Sequence, residues 1–310
     1  MRLDLDVERA LLAGRLQAVL GQLEPDLGHA ADRLPQRFGK TASMISLADC
    51  FSDLTLLYPL LIGEGLLPTS LQQARNVLVP HALFVVYAHL DDRRRDGQIE
   101  VQSVEARLAD WMLDQARQQL NGVIGTTGNS AFDVLMPLYA EAQTARASGP
   151  DQLPSLIVLR HLPGIVSALS LLDASDCERS QIDRVGAGYR HLVLSLQWID
   201  DLRDLEEDLA TGADNLLLCR LPKQIRDEAL LPDVIGCLHD MRLFVIALQE
   251  ALRHVSDARE IASRLGCHTL AGLFARRQQW IATCERNHRV SSLGLEASRA
   301  DLGNLAPEDQ

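Results

Sequence analysis

Between Asp200 and Asp208 the chain sets six acids, Asp200, Asp201, Asp204, Glu206, Glu207 and Asp208, against a single base, Arg203. They follow HLVLSLQWI, a run apolar nearly all round, as in a helix buried on every face. Residues four apart on a helix fall about 40° from one another, so Asp200, Asp204 and Asp208 predict a ladder on one face, climbing about 12 Å. Like charges at that spacing repel by a few tenths of a kcal/mol, and the helix macrodipole disfavours acids near a C-terminus. An arrangement that opposes its own helix points to an external cation. Carboxylate oxygens on a spaced ladder suit Mg²⁺, which binds best when a phosphate shares it. The competing reading is an acidic surface left to water, and the apolar run before it weighs against that.

A second run, FVVYAHLDDRRRD (84–96), also leads from apolar residues into carboxylates: Asp91, Asp92 and Asp96. Here the arginines allow self-neutralisation, Asp91 with Arg95 and Arg93 with Asp96. Taken alone, this run reads as surface charge. Taken with the first, two carboxylate-tipped buried helices can face each other across a cavity, the way helical bundles build metal sites.

The elements that must position these groups are helical. Leu and Ala recur at three- and four-residue spacings in ERALLAGRLQAVLGQL, RLADWMLDQARQQL and MRLFVIALQEALRHV, and no alternating strand pattern or hairpin dipeptide appears. Breaks fall at PDL (25–27), GEGLLPTS (63–70), NGVIGTTGNS (121–130), ASGPDQLP (147–154), LATGADN (209–215) and LPD (231–233). They are short, so consecutive helices should pack as neighbours. This predicts an all-α, single-domain helical bundle over 1–290 and a frayed tail over 291–310. The 310 residues, 47% hydrophobic, can bury a sizeable core. A net charge of −12 argues against nucleic acid or an anionic membrane as partner. No apolar run approaches the length of a membrane span. Six scattered cysteines without CxxC, and an N-terminus acidic from Asp4, predict free thiols, no secretory leader and a cytoplasmic protein.

These motifs resemble the class I isoprenoid synthase superfamily: terpene cyclases, chain-elongating prenyl diphosphate synthases and squalene/phytoene synthases. DDRRRD (91–96) resembles the first aspartate-rich motif in its looser spacing. QWIDDLRD (197–204) resembles the elongases' Gln-x-x-Asp-Asp-x-x-Asp, and RDLEED (203–208) the Arg-Asp-x-x-Glu-Asp of head-to-head synthases. DDLRDLEED (200–208) is similar to the cyclases' Asn/Asp-Asp-x-x-Ser-x-x-x-Glu, with Asp in place of Ser and Glu. RHLPG (160–164) resembles the cyclase pattern of a diphosphate-sensing Arg followed by a helix-breaking Gly, with Pro163 where Asp is usual. The resemblance implies an all-α bundle around a central cavity and three Mg²⁺ ions holding a prenyl diphosphate of C15 or C20 length. The implied metal ligands are Asp91, Asp92, Asp96, Asp200, Asp204 and Asp208. Arg160, Arg190 and Arg203 are the implied diphosphate contacts. Arg160 and Gly164 take the sensor and helix-break roles. The implied reaction is loss of diphosphate to an allylic cation, which needs a dry, aromatic-walled cavity. Phe84, Tyr87 and Trp198 are the wall candidates, and the loop around Gly212 the lid. Arg286 or Arg289 stands where the cyclases carry a C-terminal Arg-Tyr pair. Homodimers are common in the superfamily.

Terpene synthase is the favoured reading. FGKTAS (38–43) has the Lys but not the Arg of the elongases' Gly-Lys-x-x-Arg, which weakens the chain-elongating alternative. RDLEED keeps a head-to-head prenyltransferase in play. A non-enzymatic helical interaction protein is the third reading. It would have no need of two acidic ladders on buried helices.

Overall fold

A computed structural model describes residues 3–38, 46–95, 97–125, 130–147, 149–228 and 231–293. Among these residues every regular element is a helix. The chain opens with α1 (Leu5–Leu20) and α2 (Pro25–Arg37), followed by the short α3 (Asp53–Leu56), α4 (Tyr58–Leu66) and α5 (Leu71–Asn76). The long α6 (Leu78–Arg95) and α7 (Val104–Ile124) come next, then α8 (Ser130–Thr144), α9 (Leu153–Arg160) and α10 (Pro163–Ala174). The second half holds α11 (Arg179–Arg203), α12 (Leu205–Thr211), α13 (Lys223–Glu228), α14 (Leu231–Asp240), α15 (Leu243–Arg264) and α16 (His268–Leu293).

Local chemistry sets these boundaries. Asp4 caps α1 by accepting from the Val7 N–H, and Ser103 caps α7 by accepting from Ala106. Pro25 and Pro163 open α2 and α10, where a missing N–H costs nothing. Glu64 of α4 accepts from both the backbone N–H and the hydroxyl of Thr269, placing a carboxylate at the positive end of α16.

α6 is the innermost helix: every residue from Leu78 to Tyr87 is buried. It packs on α7 and α10, while α11 lies along α15 and α15 along α16. α10 joins the two groups, touching α4, α6, α7, α8 and α11. One hydrophobic core runs through both, from Leu3 to Ile281. No single helix among the described residues is long and apolar enough to cross a membrane. All six cysteines are unbridged. Of the expected tail, 294–310 lies outside the described residues, as do Lys40 and most of FGKTAS.

Candidate active site

The second acidic run departs from a single straight helix. α11 ends at Arg203, the backbone bends at Asp204, and α12 starts at Leu205, whose side chain turns into the core. The acidic face survives the bend. The Asp204 N–H donates to the Asp200 carbonyl at 2.9 Å, and the Asp208 N–H to the Asp204 carbonyl at 2.8 Å. The three acids thus stay linked, one helical turn apart. Burial raises the carboxyl pKa of Asp200, Asp204 and Asp208 above the ordinary value; Asp204 adds to this at Asp200 and Asp208, and Glu207 at Asp204 and Asp208. Arg203 and Arg277 offset only part of this at Asp200, and the donor set, hard oxygens on a spaced ladder, fits Mg²⁺.

The neighbouring Asp201 points inward. It is buried and accepts from Gln197 and from the Leu216 N–H, both at 2.5 Å. Asn215, also buried, donates to the Asp201 carbonyl and to Asp208 and accepts from Leu217 and Leu218. The loop expected as a lid is therefore a strap. It turns at Gly212, whose φ of +67° suits a residue without Cβ, and is then fastened back onto α11 and α12.

On α6, Asp91 is fully buried, with both oxygens occupied. Arg94 donates to one at 2.5 Å; Arg95 and Tyr139 donate to the other at 2.9 and 2.8 Å. Burial pushes its carboxyl up, but the bonds from Arg95, Tyr139 and Arg94 outweigh this and hold it below the ordinary value. Self-neutralisation, the alternative weighed for this run, is the arrangement found at Asp91. Asp92 is exposed, and Asp96 lies outside the described residues.

The corner between α9 and α10 brings the two helix ends into relation. The chain bends there by 70°, between Arg160 and Pro163. Gly164 is the second residue of α10 rather than the break. A Cβ there would lie 2.2 Å from the Tyr189 hydroxyl, which donates to the His161 carbonyl at 2.7 Å. Arg160 donates to the carbonyls of Ala142 and Ala145 and pairs with Asp214 of the strap at 3.0 Å. Its neighbour His161 faces the site, within charge–charge range of both His89 on α6 and Asp200 on α11. Its Nδ1 lies 2.8 Å from the Ile157 carbonyl, so Nδ1 carries a proton and donates to it.

Arg277 of α16 completes the ring. Its Nε is buried without a partner, and burial pulls the guanidinium down to about 10, with Asp200 opposing and Arg203 adding to the fall. Asp200 and His89 keep solvent access yet are packed round by protein, and burial pulls His89 down to about 4. At both residues solvent access goes with strong desolvation, as on the wall of a concavity. A separate cleft of about 480 Å³ opens at the other end of α11, beside Glu178 and Gln181, about 30 Å along the helix from Asp200.

Of the expected diphosphate contacts, Arg203 lies 3.6 Å from Asp200. Arg190 is exposed about 15 Å back along α11 and is not brought to the acids. Phe84, Tyr87 and Trp198 are buried in packed core: Phe84 against Phe132, Tyr87 near Tyr139, and Trp198 beneath the Arg220 guanidinium at 4.7 Å. Arg286 bonds Thr283, and the side chain of Arg289 is outside the described set. His89, His161, Arg277, Tyr139 and Asn215 were not anticipated. His161 sits inside the RHLPG motif, but no residue spacing marks Arg277.

No family model and no curated protein matches the chain. Solved structures do. A geranylgeranyl pyrophosphate synthetase from the archaeon Geoglobus acetivorans superposes with a TM-score of 0.66 at 14% identity, covering 88% of this chain and 97% of that one. A second structure, a geranylgeranyl pyrophosphate synthase, gives a TM-score of 0.60 at 14% identity, covering 87% and 99%. The chain has the all-α isoprenoid synthase fold, as the sequence motifs led one to expect.

Proposed function

We propose that this chain is a Mg²⁺-dependent enzyme that ionises a prenyl diphosphate, and that it acts as a terpene synthase. The observation that carries the reading is the acidic face of Asp200, Asp204 and Asp208, each carboxyl raised by burial and by a neighbouring acid, with Arg277, whose buried Nε is unpartnered, in charge–charge range of Asp200. Asp200, Asp204 and Asp208, with Asp92 from α6 and Asp96 directly after that helix in sequence, would hold the metal; Asp91 instead anchors Arg94 and Arg95. Mg²⁺ bound there would supply the Lewis-acid charge that stabilises the departing diphosphate. Arg203 and Arg277 add fixed positive charge on the same side, a preorganised electrostatic contribution. With Nδ1 committed to Ile157, neutral His161 would offer Nε2 to take a proton from the hydrocarbon cation as the product forms.

A second reading is a prenyltransferase. The two solved structures described above are geranylgeranyl pyrophosphate synthases by name, which supports it. One experiment separates them: incubation with C10 to C25 prenyl diphosphates and Mg²⁺, with and without isopentenyl diphosphate, and mass analysis of products. Diphosphate release without isopentenyl diphosphate, and no coupled product, is the terpene synthase result. A longer diphosphate formed only with isopentenyl diphosphate, or a head-to-head dimer, selects the transferase. Inertness toward every substrate removes both.

A further inference from the structure

We propose that His191, His254 and Asp257 form a second metal site, between α11 and α15, for a divalent ion of the Zn²⁺ class. His254 and Asp257 stand three apart on α15 and so share a face, which His191 meets from α11. Their ligand atoms all lie within 4.8 Å of one another. The two Nδ1 atoms are 2.9 Å apart, and His191 Nδ1 is 3.6 Å from Asp257 Oδ2. Ligand bonds of about 2.0–2.2 Å in a tetrahedral site put such atoms about 3.3 Å apart. These two distances need to change by only about 0.4 Å, and the third, between His254 and Asp257, lies within 4.8 Å.

The polar bookkeeping favours a cation. Arg253 lies 3.0 Å from His254 Nε2 and can only donate there, so the His254 proton sits on Nδ1 and points at His191 Nδ1. Two lone-pair atoms, His191 Nδ1 and Asp257 Oδ2, thus lie beside one proton, and Asp257 Oδ2 is otherwise held only by Arg253 at 3.4 Å. Both imidazoles are at least partly buried, and the Nδ1 of each faces the other across α11 and α15. The groups around them are Arg190, Arg253, Glu250 and Asp257. On binding, the ion takes the place of the shared proton, which moves to His254 Nε2 as Arg253 withdraws toward Glu250, its partner at 2.7 Å. Two imidazoles and one carboxylate suit Zn²⁺, Co²⁺ or Ni²⁺ and not Mg²⁺, leaving a fourth position for water. The site lies about 13 Å along α11 from Asp200 and is independent of the proposed reaction.

The test is titration of the chelator-stripped full chain with Co²⁺, read by visible absorption. The expected result is one tetrahedral Co²⁺ per chain, displaced by Zn²⁺ and not by Mg²⁺. His191→Gln and His254→Gln should weaken binding by more than about 100-fold, beyond the loss of an outer-shell contact. Arg253→Gln, at an exposed position, should tighten it about 10-fold by freeing Asp257 and His254 Nε2. The double variant Asp200→Asn/Asp204→Asn should keep the spectrum. No binding, an octahedral spectrum, or a signal lost in the acidic double variant and kept in His254→Gln overturns the proposal.

Discussion

Asp91 and Asp204 each sit near the end of a long helix, and their surroundings give opposite consequences for removing them. Asp91→Ala strands two guanidiniums and the Tyr139 hydroxyl beside a buried hole. Breaking a buried pair from one side costs about 3–5 kcal/mol, toward the low end here because Arg94 and Arg95 are partly exposed. Denaturant unfolding should show that loss, and an unchanged midpoint would reduce the Asp91 pairing to ornament. Asp204→Asn relieves repulsion from Glu207 and should leave stability equal or slightly higher while turnover falls. A second residue carries a pH signature. His81, buried in α6, lies 2.7 Å from the Thr55 carbonyl, and burial holds its imidazole down at about 4. The unfolded chain therefore binds the extra proton first, so stability is complete above about pH 6.5 and is lost as pH falls toward 4, by about 3 kcal/mol. His81→Gln should flatten that part of the stability–pH curve, and an unaltered slope would assign it to other groups. The Asp91–Arg95 pair was legible as an i,i+4 spacing in DDRRRD. Tyr139 was not, because only the folded chain brings α8 over α6.

At the scale of elements, the crossing of α10 and α11 fixes the corner that carries Arg160 and His161. The sequence marks it with Pro163 and Gly164. The proline does what its geometry requires and starts α10, whereas the glycine serves a contact no local pattern reveals. With Tyr189 Oη 2.2 Å and Cζ 3.2 Å from an added Cβ, Gly164→Ala should cost about 1–3 kcal/mol as the ring is pushed aside. Tyr189→Phe removes the nearest atom and should recover part of the loss in the double variant; a strictly additive thermal-unfolding cycle would refute the contact. The bend at Asp204 was likewise hidden. Periodicity continues unbroken from α11 through α12, and the interruption comes from Leu205 seeking the core while the strap at Asn215 holds the far side. Strap and bend share Asp201 and Asp208, two acids whose neighbours in sequence look alike and whose partners do not.

For the whole molecule, Leu/Ala spacing and the absence of strand pattern were enough to read the fold class, and the apolar runs ahead of the acids were enough to find α6 and α11. How those helix ends face one another depends on α9, α10 and α16. Arg277, His89 and His161 therefore emerge only from tertiary packing, as does the His191–His254–Asp257 trio. That assembly makes a thermodynamic prediction independent of any substrate. The site offers carboxylates raised by one another on α11 and α12, and beside them the guanidiniums of Arg203 and of Arg277, whose buried Nε has no hydrogen-bond partner. Mg²⁺ alone meets the arginines' repulsion, and inorganic diphosphate alone meets the acids'. Together they satisfy both, so the pair should raise Tm by several degrees while each alone raises it little. Saturation at a hundredfold over Kd contributes about 2.7 kcal/mol, and a chain of this size gains about 1.5 °C per kcal/mol. Arg277→Gln should abolish the joint effect while leaving the Mg²⁺-only shift in place, and Asp204→Asn should weaken both. Equal shifts from Mg²⁺ with and without diphosphate would mean that the acids act without the arginines, and the concavity would lose its claim to bind a diphosphate.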